Sequence, residues 1–117
     1  MRIIIDIVPK EEVPNGQLGD YYNGHIYVAD TGVHEANIGI ALHELVEMTL
    51  AKNRGISEED ITNFDLVYKG DGEPGDDVKS PYRKEHRFAE NIERLFVQEL
   101  RIAWQDYENL CNLTLEK

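Results

Sequence analysis

The sequence is short of groups on which several large classes of protein depend. It has one cysteine, Cys111, which excludes an intramolecular disulfide framework. It has two serines, Ser57 and Ser80, and each stands directly ahead of a helical pattern, where a hydroxyl serves as a cap. That leaves little for serine-nucleophile chemistry. Cys111 falls on an apolar stripe with Trp104, Tyr107 and Leu110, and reads as core filling rather than as a reactive thiol.

Positive charge is scarce as well. Twelve Lys and Arg stand against 23 Asp and Glu, for a net charge of −11. The nearest approach to a basic cluster is Arg83, Lys84 and Arg87, too little to hold a nucleic-acid backbone or an anionic membrane surface. A peptide or protein partner, basic ones included, is compatible with this balance. Long apolar runs are also missing, so no segment has the length of a membrane span. The opening MRIIIDIVPK is broken by Asp6 and Pro9 before it can serve as a secretory leader, and a cytoplasmic protein is expected.

What is present suffices for one domain, residues 1–117, since 41% hydrophobic content supports a single modest core. The front of the chain has the period of strands. Arg2 to Val8 is rich in β-branched residues, with Ile3, Ile5 and Ile7 on one face. Asn23-Gly24 suits a type I′ turn, so residues 18–22 and 25–29 should form a hairpin with Ile26 and Val28 facing the core. The back of the chain is helical. One long helix is expected over Glu35–Arg54, ended by Gly55 and the hydrophobic contact of Ile56. A short helix follows Ser57. A second long helix is expected from Pro81, capped by Ser80, to about Leu100, with Phe88, Ile92, Leu95 and Phe96 as its apolar face. Trp104 to Cys111 should form a short packing helix.

Between the helices lies YKGDGEPGDDVKS. Gly70, Gly72 and Gly75 have the spacing of a nucleotide-binding loop, but Asp71, Glu73, Asp76 and Asp77 would repel phosphate and Pro74 interrupts any helix. The same acids miss the ligand spacing of a calcium loop. The stretch reads as solvated loop.

The sharpest signal is HELVE, residues 43–47. Positions i and i+4 of a helix project about 40° apart, so His43 and Glu47 can hold one ion. Glu44 lies about 100° round, beside the open coordination position, where a general base belongs. The His43–Glu47 line runs along the margin of an apolar arc made by Ile38, Leu42, Leu45, Val46 and Thr49. A carboxylate there is partly desolvated and needs a cation or a proton. Two ligands do not make a site. His86, early on the second long helix, is the best third ligand, with Glu90 or Glu93 able to orient a ligand from behind. His25, on a strand, and His34, in the turn before the helix, are weaker candidates.

The strand ending IYVAD followed by IGIALHELVEMTL resembles the zincin-like metallopeptidase core, in which an edge strand precedes an H-E-x-x-H helix. HELVE, the NFD of Asn63 to Asp65, EPGDD and PYRKEHRFAENIER together resemble a group of short phage and prophage proteins, over most of residues 38–107. The zincin resemblance implies His43 and Glu47 as metal ligands and Glu44 as the catalytic base. Asp65 reads first as closing the short helix, with a place behind a ligand as the alternative. Glu47 stands where the second histidine of that motif belongs.

The resulting expectation is an α+β domain: a small antiparallel sheet packed against two long helices, with a divalent metal, zinc foremost, held by His43, Glu47 and His86. Its expected function is metal-dependent hydrolysis of a peptide or amide. The alternatives are a zincin-like fold without activity and a metal-free acidic interaction module.

Overall fold

In the computed structural model, which describes residues 2–116, three strands are followed by four helices. The strands are β1 (Ile4–Val8), β2 (Gly19–Tyr22) and β3 (His25–Ala29). β2 and β3 form the expected hairpin, with Asn23 at φ 50° and Gly24 at φ 82°, the pair of positive values that a type I′ turn requires. Ile26 and Val28 are completely buried.

The α+β class stands, but the sheet is mixed rather than antiparallel. Its order is β1-β3-β2, and β1 runs parallel to β3, with Ile5 opposite Ile26 and Ile7 opposite Val28. The register explains how. Val8 lies level with Ala29, and Gly19 with Val28, so residues 9–18 cross the C-terminal end of β3 from one edge to the other. Two single helical turns, Lys10–Glu12 and Pro14–Gly16, fill that crossing. Ile3, Ile5 and Ile7 therefore sit on the sheet edge beyond helical cover, and all three remain exposed.

The helices are α1 (His34–Asn53), α2 (Glu58–Val67), α3 (Arg83–Glu99) and α4 (Trp104–Glu116). Asn37 pins the start of α1 to the end of β3: its Oδ1 accepts from Thr31 N at 2.9 Å, and its Nδ2 donates to Asp30 Oδ1 at 3.0 Å. The end of α1 is as expected. Gly55 has φ 74°, and Ile56 N donates to Ala51 O at 2.9 Å, the reach of a Schellman motif. Ser57 caps α2 by accepting from Asp60 N at 3.0 Å. Ser80 does not cap α3. Its Oγ accepts from Tyr82 N within a preceding turn, and the helix starts at Arg83.

α1 lies between the sheet and α3 and packs on both. Its rotation differs from the expectation. Ile38 and Thr49, on the supposed apolar arc, are exposed, whereas Gly39, Ile40, Glu44, Glu47, Met48 and Ala51 are buried. α3 behaves the same way. Phe88 and Leu95 are exposed, while Glu85, His86, Ala89, Glu93 and Val97 are buried. Both long helices turn a charged stripe inward. Such burial is tolerable only where each charge meets a partner.

Candidate metal centre

His43 and Glu47 of α1 and His86 of α3 meet between the two helices. His43 Nε2 lies 3.1 Å from Glu47 Oε2 and 3.2 Å from His86 Nδ1, and His86 Nδ1 lies 2.9 Å from Glu47 Oε2. The three atoms form a nearly equilateral triangle. Donors about 2.0–2.1 Å from one tetrahedral ion stand about 3.3 Å apart, so this triangle needs only slight spreading to become one face of a coordination tetrahedron. All three side chains are buried, and the group could hold a metal ion.

The atoms behind the triangle turn the donors inward. His43 Nδ1 is 2.7 Å from Glu93 Oε1, and the other oxygen of Glu93 accepts from Tyr107 OH. With Nδ1 protonated against a carboxylate, Nε2 presents its lone pair to the centre. Glu47 is fixed alike: its Oε1 accepts from Tyr21 OH at 3.0 Å, which leaves Oε2 for the centre. Behind His86, Glu73 Oε2 lies 2.8 Å from Nε2 as an ion pair, yet the contact is not aligned as a hydrogen bond. Gly75 lies flat against the His86 ring. A Cβ there would come within 2.5 Å of the ring, so only glycine lets the loop approach so closely.

The electrostatics follow from this packing. Burial would raise the proton affinity of Glu47, but His43 and His86 overcome it and hold its pKa down, to about 2. For His86 burial acts to lower the pKa, and the carboxylates of Glu47 and Glu73 reverse this, pushing it up to about 10. His43 is raised in the same way, against burial, by Glu47 and Glu93. Metal-free, the cluster is an ion network in which protons occupy the place of a cation. Those protons must leave before the imidazole nitrogens can coordinate.

Glu44 differs from its neighbours. It is 8% exposed, and it makes no hydrogen bond or ion pair among the described residues. Its pKa is raised well above the usual carboxylate range, chiefly by burial and then by the charge of Glu47. It lies under β2, where a Cβ on Gly19 would come within 2.9 Å of its Cγ. Glu44 and the three donors line one cleft of about 90 Å³, walled by β2, α1, α3 and the Glu73–Gly75 loop.

Of the residues expected behind the ligands, Glu93 contacts His43 directly. Glu90 is on the next turn of α3, is half-buried, and touches none of the three donors. Asp65 lines the cleft but accepts from Tyr82 OH at 2.6 Å rather than from a ligand. His25 pairs with Asp6 at 2.7 Å on the sheet, and His34 is exposed at the start of α1, so both stand apart from the centre. Sequence reasoning missed Glu73, Tyr21 and Tyr107. For Glu73 a signal existed: EPGDD sits ten or so residues ahead of His86 in an otherwise featureless loop.

Comparison with family models, curated proteins and solved structures finds no match to this chain. No helix among the described residues is long and apolar enough to cross a membrane.

Proposed function

We propose that this chain is a metal-dependent hydrolase of peptide or amide bonds, with zinc held by His43, Glu47 and His86. The observation that carries the reading is the triangle of facing donor atoms with the buried, unpartnered carboxylate of Glu44 beside it. Two imidazoles and one carboxylate form a donor set that catalytic zinc uses, and three protein ligands leave a position open. The likeness of HELVE to the zincin helix agrees with this. Glu47 replaces an imidazole of that motif, and His86 supplies an imidazole in return.

Zinc held there would supply a Lewis acid for the scissile carbonyl and would acidify water. The chain's own residues supply the rest. Glu93 and Glu73 hold the two rings with their donor atoms turned to the centre, and Tyr21 holds Glu47. Glu44 accepts the proton of the attacking water and returns it to the leaving nitrogen.

A second reading is a binding module of the same fold without turnover. It is favoured by the way Glu47 Oε2 already satisfies both histidines without an ion. Metal analysis of untagged protein, followed by digestion of a peptide pool by the parent and by Glu44→Gln, tests both readings. One equivalent of zinc, with turnover lost only in Glu44→Gln, is the expected result. Zinc without turnover in either protein supports the binding module, and absence of metal leaves an acidic interaction protein.

A further inference from the structure

Acids outnumber bases in the cleft, whose basic lining residues are His43 and His86. Among its lining residues Asp20, Glu44, Glu47, Asp65, Glu73 and Glu93 are acids, and none is Lys or Arg. A divalent ion would offset two of these six charges and leave the wall negative. Glu47, Glu73 and Glu93 are engaged with the two histidines. The other three make no ion pair among the described residues. Asp20 accepts from Asn15 Nδ2 at 3.1 Å and from its neighbour's amide, Tyr21 N, at 2.8 Å. Among the described residues Asp65 accepts only from the hydroxyl of Tyr82. Glu44, more than nine-tenths buried, has no partner among the described residues.

Charges left like this repel one another. A substrate group that brings positive charge relieves the repulsion, and one that brings negative charge adds to it. Recognition of a terminal carboxylate needs an Arg or Lys fork, which this wall lacks.

We infer that the cleft selects substrates carrying a cationic group, an ammonium or a guanidinium, beside the cleaved bond, with Asp20 and Asp65 as its counter-charges. The inference rests on the hydrolase reading for the word substrate, but the charge selection itself belongs to the cleft. The cation comes either from a basic side chain or from a peptide's N-terminal amine. Both present the same chemistry to Asp20 and Asp65, which line the cleft from β2 and from α2.

The experiment is a set of NMR titrations with and without zinc. The probes are short alanine peptides, acetylated and amidated, with lysine, glutamine or glutamate at the centre, plus the glutamine peptide with a free N-terminus. The lysine peptide should bind about tenfold more tightly than the acetylated glutamine peptide, and the glutamate peptide most weakly of all. Salt well above physiological strength should erase the difference, because the interaction is between partly exposed charges. Asp20→Asn and Asp65→Asn should each reduce the lysine preference about threefold while leaving zinc stoichiometry intact. If the free N-terminus restores binding to the glutamine peptide, the amine is the source; if not, the side chain is. Equal affinities for lysine, glutamine and glutamate, or no measurable binding by any of them, overturn the inference and leave the zinc result standing. A lysine preference in protein that takes up no zinc would sink the hydrolase reading and keep the cationic cleft.

Discussion

α1 makes two interfaces of opposite character. Toward the sheet it places Ala36, Ile40, Met48 and Ala51 in one apolar cluster with Ile26 and Val28. Toward α3 it places His43 and Glu47 against His86 and Glu93. The first interface stabilises by area removed from water, and side chains of similar volume can replace one another in it. The second gains only if complete, because each buried charge carries a desolvation penalty of several kcal/mol that its partners must offset. Folding stability alone gives no reason to bury Glu93 while Phe88 and Leu95, on the same helix, stay 51% and 62% exposed. A polar interface kept where an apolar one was at hand is the pattern expected of a functional centre.

The comparison breaks first where the polar set is made incomplete. His43→Ala should lose metal binding and about 3–5 kcal/mol of stability, because it removes the cationic partner of buried Glu93 and one of the two imidazoles that hold Glu47. Chemical denaturation with and without zinc checks both. Val28→Ala, on the apolar side, should cost about 2–3 kcal/mol through the cavity it leaves, with zinc stoichiometry unchanged. Loss of metal in Val28→Ala would mean that the two interfaces are not separable.

A pH series sharpens the contrast. In chelated protein Glu47 has a depressed pKa, so its contribution is present above about 4.5 and is lost as pH falls through about 2. His86 has a raised pKa, so its contribution is full below about 6.5 and is lost as pH rises through about 10. Chelated protein should thus weaken at both ends of the range. The increment that zinc adds should instead grow from pH 6 to pH 8, because zinc must displace protons held by the two imidazoles and that displacement costs less as pH rises. An increment flat with pH would speak against histidine ligation. The smallest effect is expected at Glu73, whose carboxylate is largely exposed. Glu73→Ala should weaken zinc binding by about tenfold through loss of ring orientation and barely move the melting temperature.

Much of this was legible in the sequence wherever the signal is local. The Asn23-Gly24 turn, the Gly55 stop and the placing of His43, Glu44 and Glu47 depend on dihedral preferences and helical spacing within a few residues. His86 was reachable because a partly desolvated Glu47 calls for a partner and few histidines exist. The inward rotation of the two helices was not legible. Hydrophobic pattern assigns the apolar arc to the core, and here ion pairing between distant residues outweighs it, so Ile38, Phe88 and Leu95 stay exposed. The parallel pairing of β1 was hidden for a related reason. Alternation shows which side of a strand is apolar and says nothing about its neighbour. Glu73 was set aside because the acids around it argue against phosphate, and only the fold shows that its loop covers His86.

The central claim is that His43, Glu47 and His86 hold an ion while Glu44 stands beside it without binding it. Zinc titration of the parent, Glu44→Gln and His43→Ala by calorimetry tests it most directly. One zinc per chain should bind the parent and Glu44→Gln with affinities within about threefold, and His43→Ala should lose at least about a hundredfold. Equal zinc binding by His43→Ala and the parent would contradict the account and leave HELVE as a helix with a buried ion network.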